Sequence, residues 1–131
     1  MSFLILRKQD VEKVHATCLP KDVLARDTPK NRGLRGAILL ELDNIISAAA
    51  VTKFANYADA AIYGDVPKLK VVDGSLLNQY LTEYAHDFEP CVNVRAILQV
   101  DDLDMQVEFI WIFEEAFFNA LVTEKEKVQI D

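Results

Sequence analysis

Between Cys91 and Phe113 the chain alternates in polarity with a period of two, and this run constrains the fold more than any other feature. Val92, Val94, Ala96, Leu98 and Val100 fall on one side, with Cys91, Asn93, Arg95, Ile97 and Gln99 on the other. After Asp101-Asp102 the alternation resumes with Leu103, Met105, Val107, Phe109, Trp111 and Phe113. Successive side chains of a strand point to opposite faces, so the run predicts two strands, 92–100 and 103–113, joined by a tight reversal. In the second strand Asp104, Gln106 and Glu108 are followed on the same side by Ile110 and Ile112, which makes both faces of its second half apolar. A small domain hides such a strand only if something covers the second face, either the N-terminal segment or a partner subunit. The aromatic run Trp111, Phe113, Phe117 and Phe118 reads first as core, and second as an anchor for a partner.

The rest of the chain reads as helix and connector. Apolar residues at 34, 38, 42, 45, 46 and 49 form one stripe of a helix spanning Leu34 to Val51, with Glu41, Asp43 and Asn44 turned away. Upstream, a short helix is expected around Asp10 to Cys18, stopped by Leu19-Pro20, and Asp27 to Gly33 reads as a turn-rich connector. Residues 52–72 lose the helical period and read as a structured loop anchored by Tyr57 and Tyr63. Asp73-Gly74-Ser75 offers oxygens that cap a second helix bearing Leu76, Leu77, Tyr80, Leu81 and Tyr84, and Pro90 ends it. Residues 116–122 read as a third strand in preference to a short helix, and 125–131 as a polar tail. The expected architecture is α+β, with two main helices on one face of a small antiparallel sheet. One domain spans 1–131: an N-terminal segment and connector to residue 32, a core over 33–113, and a C-terminal segment from 114.

Charge narrows the partners. Residues 1–53 carry nine Lys and Arg against six Asp and Glu, a balance of +3, whereas 54–131 carry five against fifteen, a balance of −10. Nucleic acid and anionic membranes both select clustered cations, so an acidic chain points toward protein partners instead. The opening Met1 to Lys8 lacks the long apolar region of a signal peptide, and no stretch approaches the roughly eighteen apolar residues of a membrane span. A cytoplasmic location with Cys18 and Cys91 both reduced is the expectation.

Residues that carry chemistry are sparse. His15 with Cys18, and His86 with Cys91, give two ligands each without a zinc frame, and Asp101, Asp102 and Asp104 lack the glycine and closing glutamate of a calcium loop. No GxSxG elbow or phosphate-cradling glycine loop is present. Glu83, Asp87, Glu89 and the Asp101 cluster are numerous enough to offer glycosidase-like carboxylate pairs by chance alone. The expectation is a chain with no catalytic, metal or cofactor residues: not an enzyme, but a docking protein.

Several motifs fall in an order that resembles one family. Tyr84-Ala85-His86-Asp87-Phe88-Glu89-Pro90-Cys91-Val92 leaves a helix through Phe-Glu-Pro and enters an alternating strand. This resembles the Phe-Glu-Pro-Arg signature of the TssE family of type VI secretion baseplates and of the related phage wedge protein long mislabelled a lysozyme. Val23 to Pro29 is similar to the leucine-rich Asp-Arg-Leu-x-Asp-x-x-Pro opening of that family, and Leu42 to Ser47 to the end of its first helix. Asn56-Tyr57 and Tyr63 to Leu69 are similar to its Tyr-Gly-Leu-Pro-Asp loop, so that the order covers roughly residues 23 to 113. Cys91 stands where the family has arginine; Arg95, on the same strand face, is a candidate substitute, though a bidentate arginine contact depends on its position.

The resemblance implies a baseplate wedge subunit that sits with TssF, TssG and TssK and receives a strand from the first TssB/TssC sheath ring, templating sheath assembly. It implies interaction residues Glu89, Pro90, Cys91 and Arg95, joined by Trp111 and Phe113 of the strand. Other readings stand beside it: an acidic immunity-like inhibitor with one basic partner, a phage tail protein, and a glycosidase.

Overall fold

The computed structural model describes residues 1–58, 67–86 and 91–130. In chain order these form β1 (Ser2–Ile5), α1 (Lys8–Cys18), α2 (Lys21–Ala25), α3 (Pro29–Ala58), α4 (Leu77–Ala85), β2 (Cys91–Val100), β3 (Met105–Glu114) and α5 (Glu115–Ile130). The fold is α+β, with helices packed on a three-stranded antiparallel sheet of order β1-β3-β2.

The alternating run folds as its period dictates. β2 and β3 pair over ten successive positions, from Cys91 opposite Glu114 to Val100 opposite Met105. The reversal is a 3-10 turn over Asp101–Leu103, closed by Asp104 at φ 46° and ψ 52°. Asp tolerates that left-handed conformation better than most side chains. Its amide donates to the Asp101 carbonyl at 3.1 Å, and its own carbonyl accepts from Lys13 Nζ, tying the hairpin to α1.

β3 occupies the middle of the sheet because it is apolar on both sides. Met105, Val107, Phe109, Ile110, Trp111 and Ile112 are all buried. Each such side chain contributes about 1.5–3 kcal/mol when removed from water. One face carries the main core of Val14, Leu39, Met105 and Val107, with Leu4, Val11, Leu42 and Leu98 packed around it. Phe54 of α3 extends this layer, its ring 4.4 Å from Trp111 and 5.6 Å from Phe113.

The opposite face is covered from within the chain. Phe3 lies opposite Ile110 in the ladder, and facing residues of an antiparallel pair project to the same side. The Phe3 ring meets Tyr84 of α4 edge-on at 5.9 Å, and Tyr84 packs on Tyr80 at 4.8 Å. The two helices expected on one face therefore lie on opposite faces. The N-terminal segment is an in-plane strand, and Tyr84 of α4 packs on its Phe3 on the Ile110 side.

Further expectations are corrected. The third strand is β1, not residues 116–122, which lie within α5. Alternation ends at Glu114-Glu115, and Glu115 sits in the first turn of α5, where a carboxylate meets the positive end of the helix dipole. Phe117 returns to stack on Phe113 at 5.5 Å and 26°, a contact between residues four apart that an extended chain does not make. The supposed polar tail continues α5 to Ile130.

Similarly, the connector over 27–33 is already helix from Pro29, whose fixed φ suits a first helical position. Thr28 Oγ1 accepts from the Asn31 amide at 3.1 Å as the cap. The loop expected from residue 52 is helical to Ala58, and its part over 59–66 lies outside the described residues. Within α3 the inward stripe is turned from the expected one: Leu39 is buried while Leu34 and Ile45 are exposed. Asp43, expected outward, is half-buried, which raises the pKa of its carboxyl while Ser47 Oγ donates to it at 3.2 Å.

Candidate functional site

Backbone pairing defines the most distinctive surface of the molecule. β2 is a terminal strand of the sheet, so one of its sides has no neighbour within the described residues. Every second residue along such a side presents an unpaired N–H and C=O, a template for another chain. Folded proteins blunt such edges with short strands, prolines, bulges or charges. β2 has ten residues, no proline, and a ladder to β3 that runs without a slip in register.

Its side chains are correspondingly open. Residues 93 to 97 are all exposed, with Val94 at 37% and Ile97 at 70%. Arg95 is the only charge among residues 91–100, and its Nη1 lies 3.3 Å from Glu108 Oε1, diagonally across the ladder. Gln106 Nε2 donates to Gln99 Oε1 at 2.9 Å. Both interactions stiffen β2 against β3 and leave its outer backbone edge clear. β1, the other terminal strand, has four residues.

The six residues marked from sequence divide sharply. Glu89 and Pro90 lie outside the described residues. Cys91 opens β2 opposite Glu114, and Arg95 sits mid-strand on the exposed edge. Trp111 is 7% exposed beneath Phe54, Phe109 and Phe113, so its indole is core and offers no docking surface. Phe113 is half-buried between Trp111 and Phe117. The residues that sequence reasoning passed over are Val94 and Ile97. Both sit among apolar residues at strand spacing, and a period of two marks a strand without marking whether it is an edge.

Several other side chains with reactive groups are engaged structurally, while Cys18 is a free, exposed thiol. His15 Nε2 lies 3.0 Å from the Arg35 carbonyl, joining α1 to α3. Arg35 Nη2 donates to the carbonyls of Val23 and Leu24 at 2.9 and 3.0 Å, closing the end of α2. Arg7 grips Asp10 through Nε at 2.7 Å and Nη2 at 3.2 Å; its hydrogen bond holds that carboxyl below the usual range against the opposing effect of burial. Glu83 Oε1 accepts from Gln79 Nε2, and Asp73 Oδ1 from the amide and hydroxyl of Ser75. Tyr80 is pushed up to about 12 by its hydrogen bond with Tyr84 and by burial. Among the described residues no three His, Cys, Asp or Glu side chains are grouped as a metal site, and no helix is long and apolar enough to cross a membrane.

Comparison with protein-family models, curated proteins and solved structures finds no match to this chain.

Proposed function

We propose that this chain is a non-catalytic structural subunit that docks onto other proteins by accepting a strand at the outer edge of β2. The observation that carries the reading is the edge itself: ten residues long, unbroken in register, exposed from residue 93 to 97, and without proline. Strand addition at such an edge draws affinity from main-chain hydrogen bonds and register from alternate side chains. The short β1 offers much less ladder.

The machine we propose is the baseplate of a contractile injection system, foremost a cytoplasmic type VI baseplate, with the chain as wedge protein. This assignment rests on the ordered motifs around Pro29, Leu42 to Ser47, Tyr57 and Phe88-Glu89-Pro90. In it Glu89 and Pro90 contact wedge neighbours of the TssF, TssG and TssK type, while β2 receives the first sheath strand.

Co-expression with the wedge and sheath subunits of its own genome tests both levels. Wild-type chain is expected to recover both, Ile97→Lys to lose sheath and keep wedge, and Glu89→Ala to weaken the wedge contact. Recovery of neither, or of a single basic protein in their place, contradicts the baseplate assignment. Retention of every partner by Ile97→Lys contradicts docking at β2.

A further inference from the structure

The acids of the C-terminal half are not spread evenly around β2; they bracket it. At its first residue, Cys91 lies opposite Glu114, with Glu115 next in the chain. At its last residue, Val100 runs directly into Asp101-Asp102. All four carboxylates are exposed, and none takes part in an ion pair among the described residues. At about 3.3 Å per residue, the ten positions of β2 hold the two acid pairs roughly 30 Å apart. Between them the exposed side chains include Val94, Ala96 and Ile97, and the one cation, Arg95, already faces Glu108.

This arrangement discriminates between occupants. If a second copy of the chain added its own β2 antiparallel, its Asp101-Asp102 pair would come to the Cys91 end of β2, with Glu114-Glu115 two strand spacings away, about 10 Å, and the same approach of like charges would recur at the other end. A parallel addition would set the two Asp101-Asp102 pairs side by side. Like charges placed opposite one another are destabilising, so self-pairing is opposed in either direction.

We infer that β2 receives an extended segment of a different protein, apolar in its middle and carrying Lys or Arg at both ends, the two basic ends about ten residues apart. The inference rests on the reading of β2 as the docking edge and adds what that edge selects. Backbone hydrogen bonds hold the segment, Val94 and Ile97 lose their exposure, and the basic ends meet the two acid pairs. Each exposed charge contact is weak, but four acting together also steer the encounter and fix the register.

The test uses the full chain and synthetic peptides with one alternating Val-Thr core, flanked by Lys-Lys, Ser-Ser or Glu-Glu. A fourth, Lys-flanked peptide has alternate backbone nitrogens methylated. By fluorescence anisotropy at about 50 mM salt, the Lys-flanked peptide is expected to bind at least about tenfold more tightly than the Glu-flanked one. The gap should shrink to within about threefold at roughly 0.5 M salt, where the screening length is only a few ångströms. A chain carrying Asp101→Lys, Asp102→Lys, Glu114→Lys and Glu115→Lys should reverse the order.

Equal binding of all three flanks, abolished by N-methylation, overturns the charge selection and leaves the docking edge standing. Binding that ignores both N-methylation and Ile97→Lys overturns the edge and the inference together, as does failure of every peptide to bind. A dimer of the chain in sedimentation that Ile97→Lys dissociates makes a second copy the occupant and also refutes the inference.

Discussion

Trp111→Ala separates core from docking surface. The indole is 7% exposed and meets three rings, Phe54 at 4.4 Å, Phe113 at 5.1 Å and Phe109 at 5.6 Å. Truncating a buried aromatic to alanine costs about 3–5 kcal/mol, and aromatic pairs add about 0.5–1.5 kcal/mol each beyond buried area, which places this site near the top of the range. Domains are stable by only about 5–15 kcal/mol, so the variant should sit close to the edge of folding. At this chain length about 4 °C is lost per kcal/mol, giving a fall in melting temperature on the order of 15 °C or more. With a urea slope of about 2 kcal/mol per molar, the midpoint should drop by roughly 2 M. Far-UV circular dichroism is the right probe, since Trp111 is the only tryptophan and the variant has no indole to report. A midpoint within about 0.3 M of wild type would mean that the indole is not packed as described, and would return Trp111 to the candidates for partner contact.

Three further substitutions follow from the same geometry. Arg95→Ala removes an exposed pair whose side chains are 59% and 36% accessible, so urea titration should register less than about 1 kcal/mol; a larger loss would mean that the edge is held by that pair. Asp104→Val forces a β-branched side chain into a backbone of φ 46° and should cost about 1–2 kcal/mol, whereas Asp104→Gly should be neutral or mildly stabilising; equal melting of the two would refute the left-handed turn. The carboxyl of Asp10 titrates below its ordinary value of 3.8, so the stability it contributes is complete above pH 3.8 and is lost as pH falls through the lower folded value. Wild type should therefore exceed Asp10→Asn by a constant margin near neutrality, a margin that narrows only below pH 3.8 in acid melts. A margin that changes between pH 5 and 8 would contradict the Arg7 contact as its source.

The hairpin was legible in the sequence because a period of two over Val92 to Phe113 admits few alternatives; the cap expected for α4 was not, since Asp73 caps the 3-10 turn Gly74–Leu76 ahead of it and the N-cap of α4, Leu76, makes no side-chain bond. The existence of α3 was equally plain. Its orientation was not, since Ile38-Leu39-Leu40 and Ile45-Ile46 spread apolar residues around much of the helix, and Leu39 rather than Leu34 turned inward. β1 escaped notice because four residues carry too little periodicity to distinguish strand from coil; only its pairing with Leu4 opposite Phe109 and Phe3 opposite Ile110 defines it. Residues 116–122 mix Ala with Phe and Leu, which suits either element, and the stacking of Phe117 on Phe113 decides for helix. For the candidate site, the doubly apolar half of β3 correctly implied a cover, and Ile110 and Ile112 are buried within the single chain, where Phe3 lies opposite Ile110 and meets Tyr84, so a partner is not required there. The edge was the part least visible, because exposure of Val94 and Ile97 is set by strand order, which depends on where β1 inserts.

Hydrogen exchange along β2, resolved residue by residue by nuclear magnetic resonance, tests the docking edge most directly. In the chain alone, alternate amides between Asn93 and Gln99 should exchange rapidly while the amides of Val107 to Ile112 in β3 stay protected on both sides; adding the Lys-flanked peptide should slow those same β2 amides and no others by at least about tenfold. Uniform protection of β2 in the chain alone, or slowing confined to α3 or α4 when the peptide binds, would contradict an open edge completed by a strand from another protein.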